Sequence, residues 1–199
     1  TATLDIGTGV FTIEDDGPKA SATALTAADK GLLDESDTTG SGTDGIFTAS
    51  VGFADNFTAT AYGADGAGAV AYALVLTGTN VASGFFALGT NGAQGEAIVL
   101  NQTGATITGT AGGQTYFVIS IDNDPASATF GTATFTLNAD RPIWHSATGA
   151  NGTNHDDADT MSVAANALVV QQTVTDGDGD TATATLDIGT GVFTIEDDG

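Results

Sequence analysis

The chain has no cysteine, so no disulfide can staple its fold. In an extracellular protein that leaves core packing and bound metal to supply the stability. Basic residues are nearly absent as well: Lys19, Lys30 and Arg141 stand against 25 acidic residues, for a formal net charge of −22. Such a field repels nucleic-acid backbones and anionic membrane surfaces. It also strains any compact state until a cation neutralises it, and calcium (Ca2+) is the expected cofactor. No apolar run reaches the ~18–20 residues of a membrane span, so membrane insertion is not expected. No signal peptide opens the chain, which is uninformative for a sequence that begins inside a repeated segment. Helical signals are scarce too, and only Ala20–Lys30 reads as a short helix, weakened by its Thr-Ala alternation. Acidity of this order accompanies disorder in many chains, but a hydrophobic fraction of 41% and abundant strand-like segments argue for a fold.

What the chain does have is a perfect internal duplication. Residues 1–17, TATLDIGTGVFTIEDDG, recur unchanged as residues 183–199, an offset of 183 − 1 = 182. The simplest reading is a tandem array in which residues 1–17 are the last strand and linker of one repeat and 18–199 form one complete repeat domain. Identical neighbours suit a protein that needs length more than a single evolved active site. Adjacent copies of the same repeat are therefore the expected partners. Pro18, rigid and without an N–H, marks the joint.

Period-2 alternation of β-branched and apolar residues predicts strands over Thr3–Ile13, Gly45–Phe53, Val70–Gly78, Glu96–Leu100, Ala105–Thr110, Thr115–Ile121, Gly131–Leu137, Leu168–Thr175 and Thr181–Ile195. Gly-, Asn- and Asp-rich loops separate them. The expected fold is all-β: an antiparallel β-sandwich of Ig-like or cadherin-like type. In the last hairpin, Thr181, Thr183, Thr185 and Asp187 alternate with Ala182, Ala184, Leu186 and Ile188, which predicts one solvated and one buried face. Gly189-Thr-Gly191 then predicts a bulge or bend.

Calcium takes six to eight oxygens, several from carboxylates on flexible loops. Asp176, Asp178 and Asp180 alternate with glycine on one loop and are the sharpest such set. The linker acids Glu14, Asp15 and Asp16 are a second, and Asp34, Glu35 and Asp37 are expected near the same joint. The competing readings are a plain solvated hairpin turn and a plain acidic linker. The loop is not an EF-hand, because Thr181 stands where that motif requires glycine and a strand follows instead of a helix. For Asp122/Asp124 and Asp156/Asp157/Asp159 a solvated loop is the favoured reading.

Catalytic sets are poor. Only His145 and His155 could serve a Ser or Thr nucleophile as base, and no carboxylate pair stands out, so no enzyme is expected. His145 beside Trp144 suits turn packing. Trp144, Tyr62, Tyr72 and Tyr116 leave room for glycan stacking, which keeps an adhesive module that binds a surface ligand as the alternative function.

Three stretches converge on a family: Leu33–Asp37 (LDESD), Tyr62–Gly66 (YGADG), and Thr173–Thr181 (TVTDGDGDT) running on to Ile195–Gly199 (IEDDG). Together with Leu137–His145 they resemble the tandem repeat (extender) domain of giant RTX adhesins exported by type I secretion in Gram-negative bacteria. The resemblance implies a calcium-stabilised β-sandwich at the bacterial surface, a spacer that projects a ligand-binding region for attachment and biofilm formation. It carries ligand roles to Asp176, Asp178 and Asp180, and also to Glu14, Asp15 and Asp16. Residues 79–115, insertion-rich and Gly- and Asn-heavy, match no motif of the pattern, and large loops among the strands expected there would suit a binding role.

Overall fold

The computed structural model describes residues 1–4, 7, 9, 14, 16–35, 45–58, 61–146 and 157–197. Among them the chain is all-β, with only two single-turn 3₁₀ segments at 54–56 and 90–92. Twelve strands follow in order: β1 (Gly31–Asp34), β2 (Thr48–Gly52), β3 (Ala67–Leu76), β4 (Val81–Leu88), β5 (Gln94–Thr103), β6 (Thr106–Ala111), β7 (Gln114–Ile121), β8 (Thr132–Leu137), β9 (Ala158–Ser162), β10 (Leu168–Asp176), β11 (Thr181–Asp187) and β12 (Thr190–Glu196). They form a six-stranded antiparallel sheet, β2-β8-β7-β6-β5-β4, and two three-stranded sheets, β11-β10-β3 and β1-β12-β9. The one parallel pair among these strands is β1 with β12.

Two long antiparallel stretches carry the ends of the molecule. β10 pairs with β11 from Thr175↔Thr181 to Val169↔Asp187, and β9 then pairs with β12 from Thr190↔Ser162 to Glu196↔Ala158. The loop 176–180 therefore closes one end of this ladder, and Glu196 lies at the other. The alternation in β11 settles as the sequence predicts: Thr181, Thr183 and Thr185 are exposed while Leu186 and Ile188 are buried. Gly191, at φ +79°, sits where the register shifts between Thr190 and Thr194 and the chain passes from one sheet to the next.

One core joins all three sheets. Phe117 and Phe135 of the six-stranded sheet stack at 4.5 Å, and Phe193 of β12 meets Phe135 at 5.1 Å. All three are essentially without solvent contact. β10 is sheltered on both sides, and its Gln172 donates to the Tyr72 hydroxyl at 3.0 Å inside the core. The outer edge of β3 is sealed by side-chain amides: Asn123 accepts from the Tyr72 N–H, while Gln102 accepts from Leu76 and donates to the Leu74 carbonyl. Sealing removes an edge open to foreign strands and fixes the strand that leads out of loop 61–66.

Some expectations change. Ala20–Lys30 is not a helix but an irregular extended stretch: Ala22 bridges Phe57, and Asp29 Oδ2 accepts the Thr26 N–H at 2.6 Å to close a turn. Thr and Ala without an apolar helical face have nothing to bury as a helix. In residues 79–115 the strands expected at 96–100 and 105–110 are present as β5 and β6, and β4 is an additional strand; the Gly and Asn residues there fall largely in tight turns such as Thr79–Asn80 and Gly112–Gly113. The strand expected over Thr3–Ile13 lies largely outside the described residues.

Candidate cation site

β3 and β10 lie side by side, so the loop before β3 meets the loop after β10. Gly177 N–H donates to the Gly66 carbonyl at 3.0 Å, and Asp176 N–H donates to the Asp180 carbonyl at 3.0 Å. The approach requires glycine: a Cβ on Gly177 would lie 2.2 Å from the Asp65 carbonyl oxygen. Asp65, Asp176 and Asp178 are thereby gathered, each offering a carboxylate oxygen, with these oxygens within 4.8 Å of one another. Asp65 and Asp178 are exposed, whereas Asp176 is only 3% exposed. Asp176 Oδ1 accepts from the Asp180 N–H at 2.8 Å and the Gly179 N–H at 3.1 Å. Its Oδ2 is buried and has no hydrogen-bond partner.

A buried carboxylate oxygen without a donor is costly, and two further carboxylates beside it add repulsion. A hard divalent cation removes both penalties. Three converging carboxylates fit calcium, with carbonyl or water oxygens left to complete the shell.

Sequence reasoning singled out Asp176 and Asp178, and the structure brings both together. Asp180 belongs to the same loop, where its main chain closes the turn on Asp176 and its side chain approaches Gly17; a Cβ there would lie 3.8 Å from Asp180 Oδ2. Asp65 was missed as a candidate ligand, although it stands in the YGADG stretch. An Asp-Gly turn signal was legible there, but nothing local told that β3 pairs with β10.

Of the linker acids, Glu14 and Asp16 are exposed, and Asp15 lies outside the described residues. The Asp16 main chain docks on the same end of the molecule: a Cβ on Gly63, whose φ is +71°, would lie 1.6 Å from the Asp16 carbonyl oxygen. Lys19 N–H then donates to the Ala61 carbonyl at 2.7 Å.

Asp34 and Glu35 lie elsewhere, at the Glu196 end of the ladder. Asp34 pairs in register with Glu196, and the Glu35 N–H donates to the Glu196 carbonyl at 3.1 Å. They therefore stand beside Glu196, in the second copy of the duplicated segment, rather than beside its first copy. Glu35 accepts the Ile143 N–H at 3.1 Å and faces His145, whose Nε2 is 3.6 Å from Glu35 Oε2. The other ring nitrogen, Nδ1, lies 3.4 Å from Asp159 Oδ2. His145 is buried, as packing requires, and each ring nitrogen also faces a carboxylate. Burial pushes the Glu35 carboxyl up, only partly offset by His145 and the Ile143 N–H. Burial by itself would lower His145, but Glu35, Asp197 and Asp159 outweigh it and raise its pKa. Burial also raises Asp159. Asp37, His155, Asp156 and Asp198 lie outside the described residues.

The Asp122/Asp124 loop uses its carboxylates internally. Asp122 accepts from the Asp124 N–H and the Thr129 hydroxyl, and Asp124 from the Ala126 N–H. Hydrogen bonds from Ser127, Asp124 and Thr129 hold the Asp122 carboxyl below its ordinary range. Of the aromatic residues, Tyr72 is core and Trp144 packs edge-on against Phe86 at 6.3 Å. Tyr116 helps line a shallow hollow of about 300 Å³ with Leu88, Glu96 and Gln114.

Residues 30–189 match a protein family described as a domain of unknown function, DUF5801. The chain belongs to that family. The match contains the whole Asp65–Asp176–Asp178 cluster, so the site is part of the DUF5801 domain and not of a flanking segment. No curated protein and no solved structure matches the chain.

Proposed function

We propose that this DUF5801 domain is a calcium-stabilised spacer repeat of a secreted bacterial surface adhesin, a link that holds a ligand-binding region away from the cell. The observation that carries the reading is the gathering of Asp176, whose Oδ2 is buried without a hydrogen-bond partner, with the carboxylates of Asp65 and Asp178. The exact duplication of 17 residues supports a tandem array. The packing of β3 across the six-stranded sheet supports the finer description of the fold as an antiparallel β-sandwich of Ig-like or cadherin-like type. Type I secretion and attachment follow from the resemblance to RTX adhesin repeats. The role is structural and not enzymatic: calcium neutralises carboxylates that would otherwise repel and locks two loops that the Gly177 N–H to Gly66 carbonyl bond already brings together.

The test is a melting curve with calcium and with excess chelator. Calcium at 100 times its dissociation constant adds about 2.7 kcal/mol, which for a chain of this size raises Tm by about 5–10 °C. Equal melting temperatures in the two conditions sink the calcium mechanism. Glycan-array binding that maps to the hollow beside Tyr116 would favour the alternative adhesive module.

A further inference from the structure

The duplication lets one chain display both sides of the same joint. Glu14, Asp15, Asp16 and Gly17 are the counterparts of Glu196, Asp197, Asp198 and Gly199. On the outgoing side, the chain is held to its own unit through Asp197: Glu196 pairs with Asp34 and Ala158, and the Asp197 N–H donates to the Asp157 carbonyl at 3.0 Å. On the incoming side, the chain is held to the following unit from Asp16 onward. The Asp16 carbonyl fills the space above Gly63, Gly17 lies beside Asp180, and the Lys19 N–H donates to Ala61.

Placed in register, these two sets of contacts are consecutive. Asp197 is held by its own unit, and the next residue, Asp198, is the counterpart of Asp16, which the following unit holds. We infer that consecutive repeats meet through a linker with no free residue, so that the Glu196 end of one unit is apposed directly to the Gly63/Asp180 end of the next copy. Adjacent Cα atoms are about 3.8 Å apart, so one peptide unit spans the joint. A flexible linker behaves as a coil whose reach grows with the number of free residues; here that number is zero. Gly63 is the residue that makes the grip possible, because any side chain would displace the Asp16 carbonyl. The inference rests on the tandem-repeat reading and adds that stiffness is set by the chain itself, independently of the ion. It also places two acidic ends face to face, Asp159 and Asp197 on one side and Asp178 and Asp180 on the other.

The experiment extends this chain after Gly199 with a second copy of residues 18–199. The absence of cysteine lets Thr79→Cys in each copy, at an exposed turn, carry the only two spin labels. Pulsed electron resonance gives the distance distribution between them. The expected result is a single narrow distribution in calcium and in chelator alike, broadened at least twofold by inserting Gly-Ser-Gly-Ser between Asp197 and Asp198. A native joint as broad as the insertion variant overturns the inference. So does a joint that is narrow with calcium and broad without it, since the ion and not the chain would then set the stiffness. Melting of the same two-unit chain separates the two ideas: a narrow joint with calcium-independent melting keeps this inference and removes the calcium mechanism.

Discussion

Asp65 and Gly177 are in backbone contact: a Cβ on Gly177 would lie 2.2 Å from the Asp65 carbonyl oxygen. The contact lets a loop before β3 and a loop after β10 share three carboxylates. Gly177→Ala should therefore force the loops apart. The expected cost is about 1–3 kcal/mol of stability, as for other overpacked sites, together with at least tenfold weaker calcium binding by titration calorimetry. Unchanged affinity would mean that the loop-to-loop approach does not build the site.

Asp176→Asn separates charge from packing. The amide keeps an acceptor for the Gly179 and Asp180 N–H groups, and places a donor where Oδ2 now lies buried without a partner. Without calcium the variant should melt at or above the temperature of the parent chain, because a buried charge beside two others is gone. With calcium it should gain little. The pair of melting curves decides the matter, and a variant that keeps the full calcium response rules Asp176 out as a ligand.

His145 makes stability depend on pH at the other end of the molecule. Its folded pKa is raised, so its contribution is fully present below the unfolded value of about 6.5 and is lost as pH rises through the folded value. Glu35, raised chiefly by burial, acts in the same direction: its neutral form is favoured in the fold, and stability falls as pH rises through its folded pKa. Asp159 of β9 and Asp197 after β12 act on the pair, and Asp157 acts on Asp159. In chelator, urea unfolding from about pH 6 to 8 should show stability declining by at most about 1.4 kcal/mol per pH unit for this one proton. His145→Gln should flatten that slope. An unaltered slope in the variant would assign the pH dependence to other groups.

The sequence by itself determined the all-β character of the chain, the hairpin of β10 and β11, the solvated face of Thr181, Thr183 and Thr185, and the break at Gly189–Gly191. These follow from period-2 alternation and turn chemistry, which act over a few residues. It also showed the 17-residue duplication, since identity at a fixed offset needs no structure to see. β1, β4 and β9 were not legible: the Gly-rich setting of β4 and the shortness of β1 and β9 hide their alternation, and all three are strands because neighbouring strands offer them partners. Only the tertiary structure decided that Asp65 joins Asp176 and Asp178, that Asp176 Oδ2 is buried without a donor, and that His145 lies between Glu35 and Asp159. The reason is physical. Which acids lie on a loop is a local fact, but which carboxylates share one small volume depends on strand pairing between distant segments and on the absence of a side chain at Gly177.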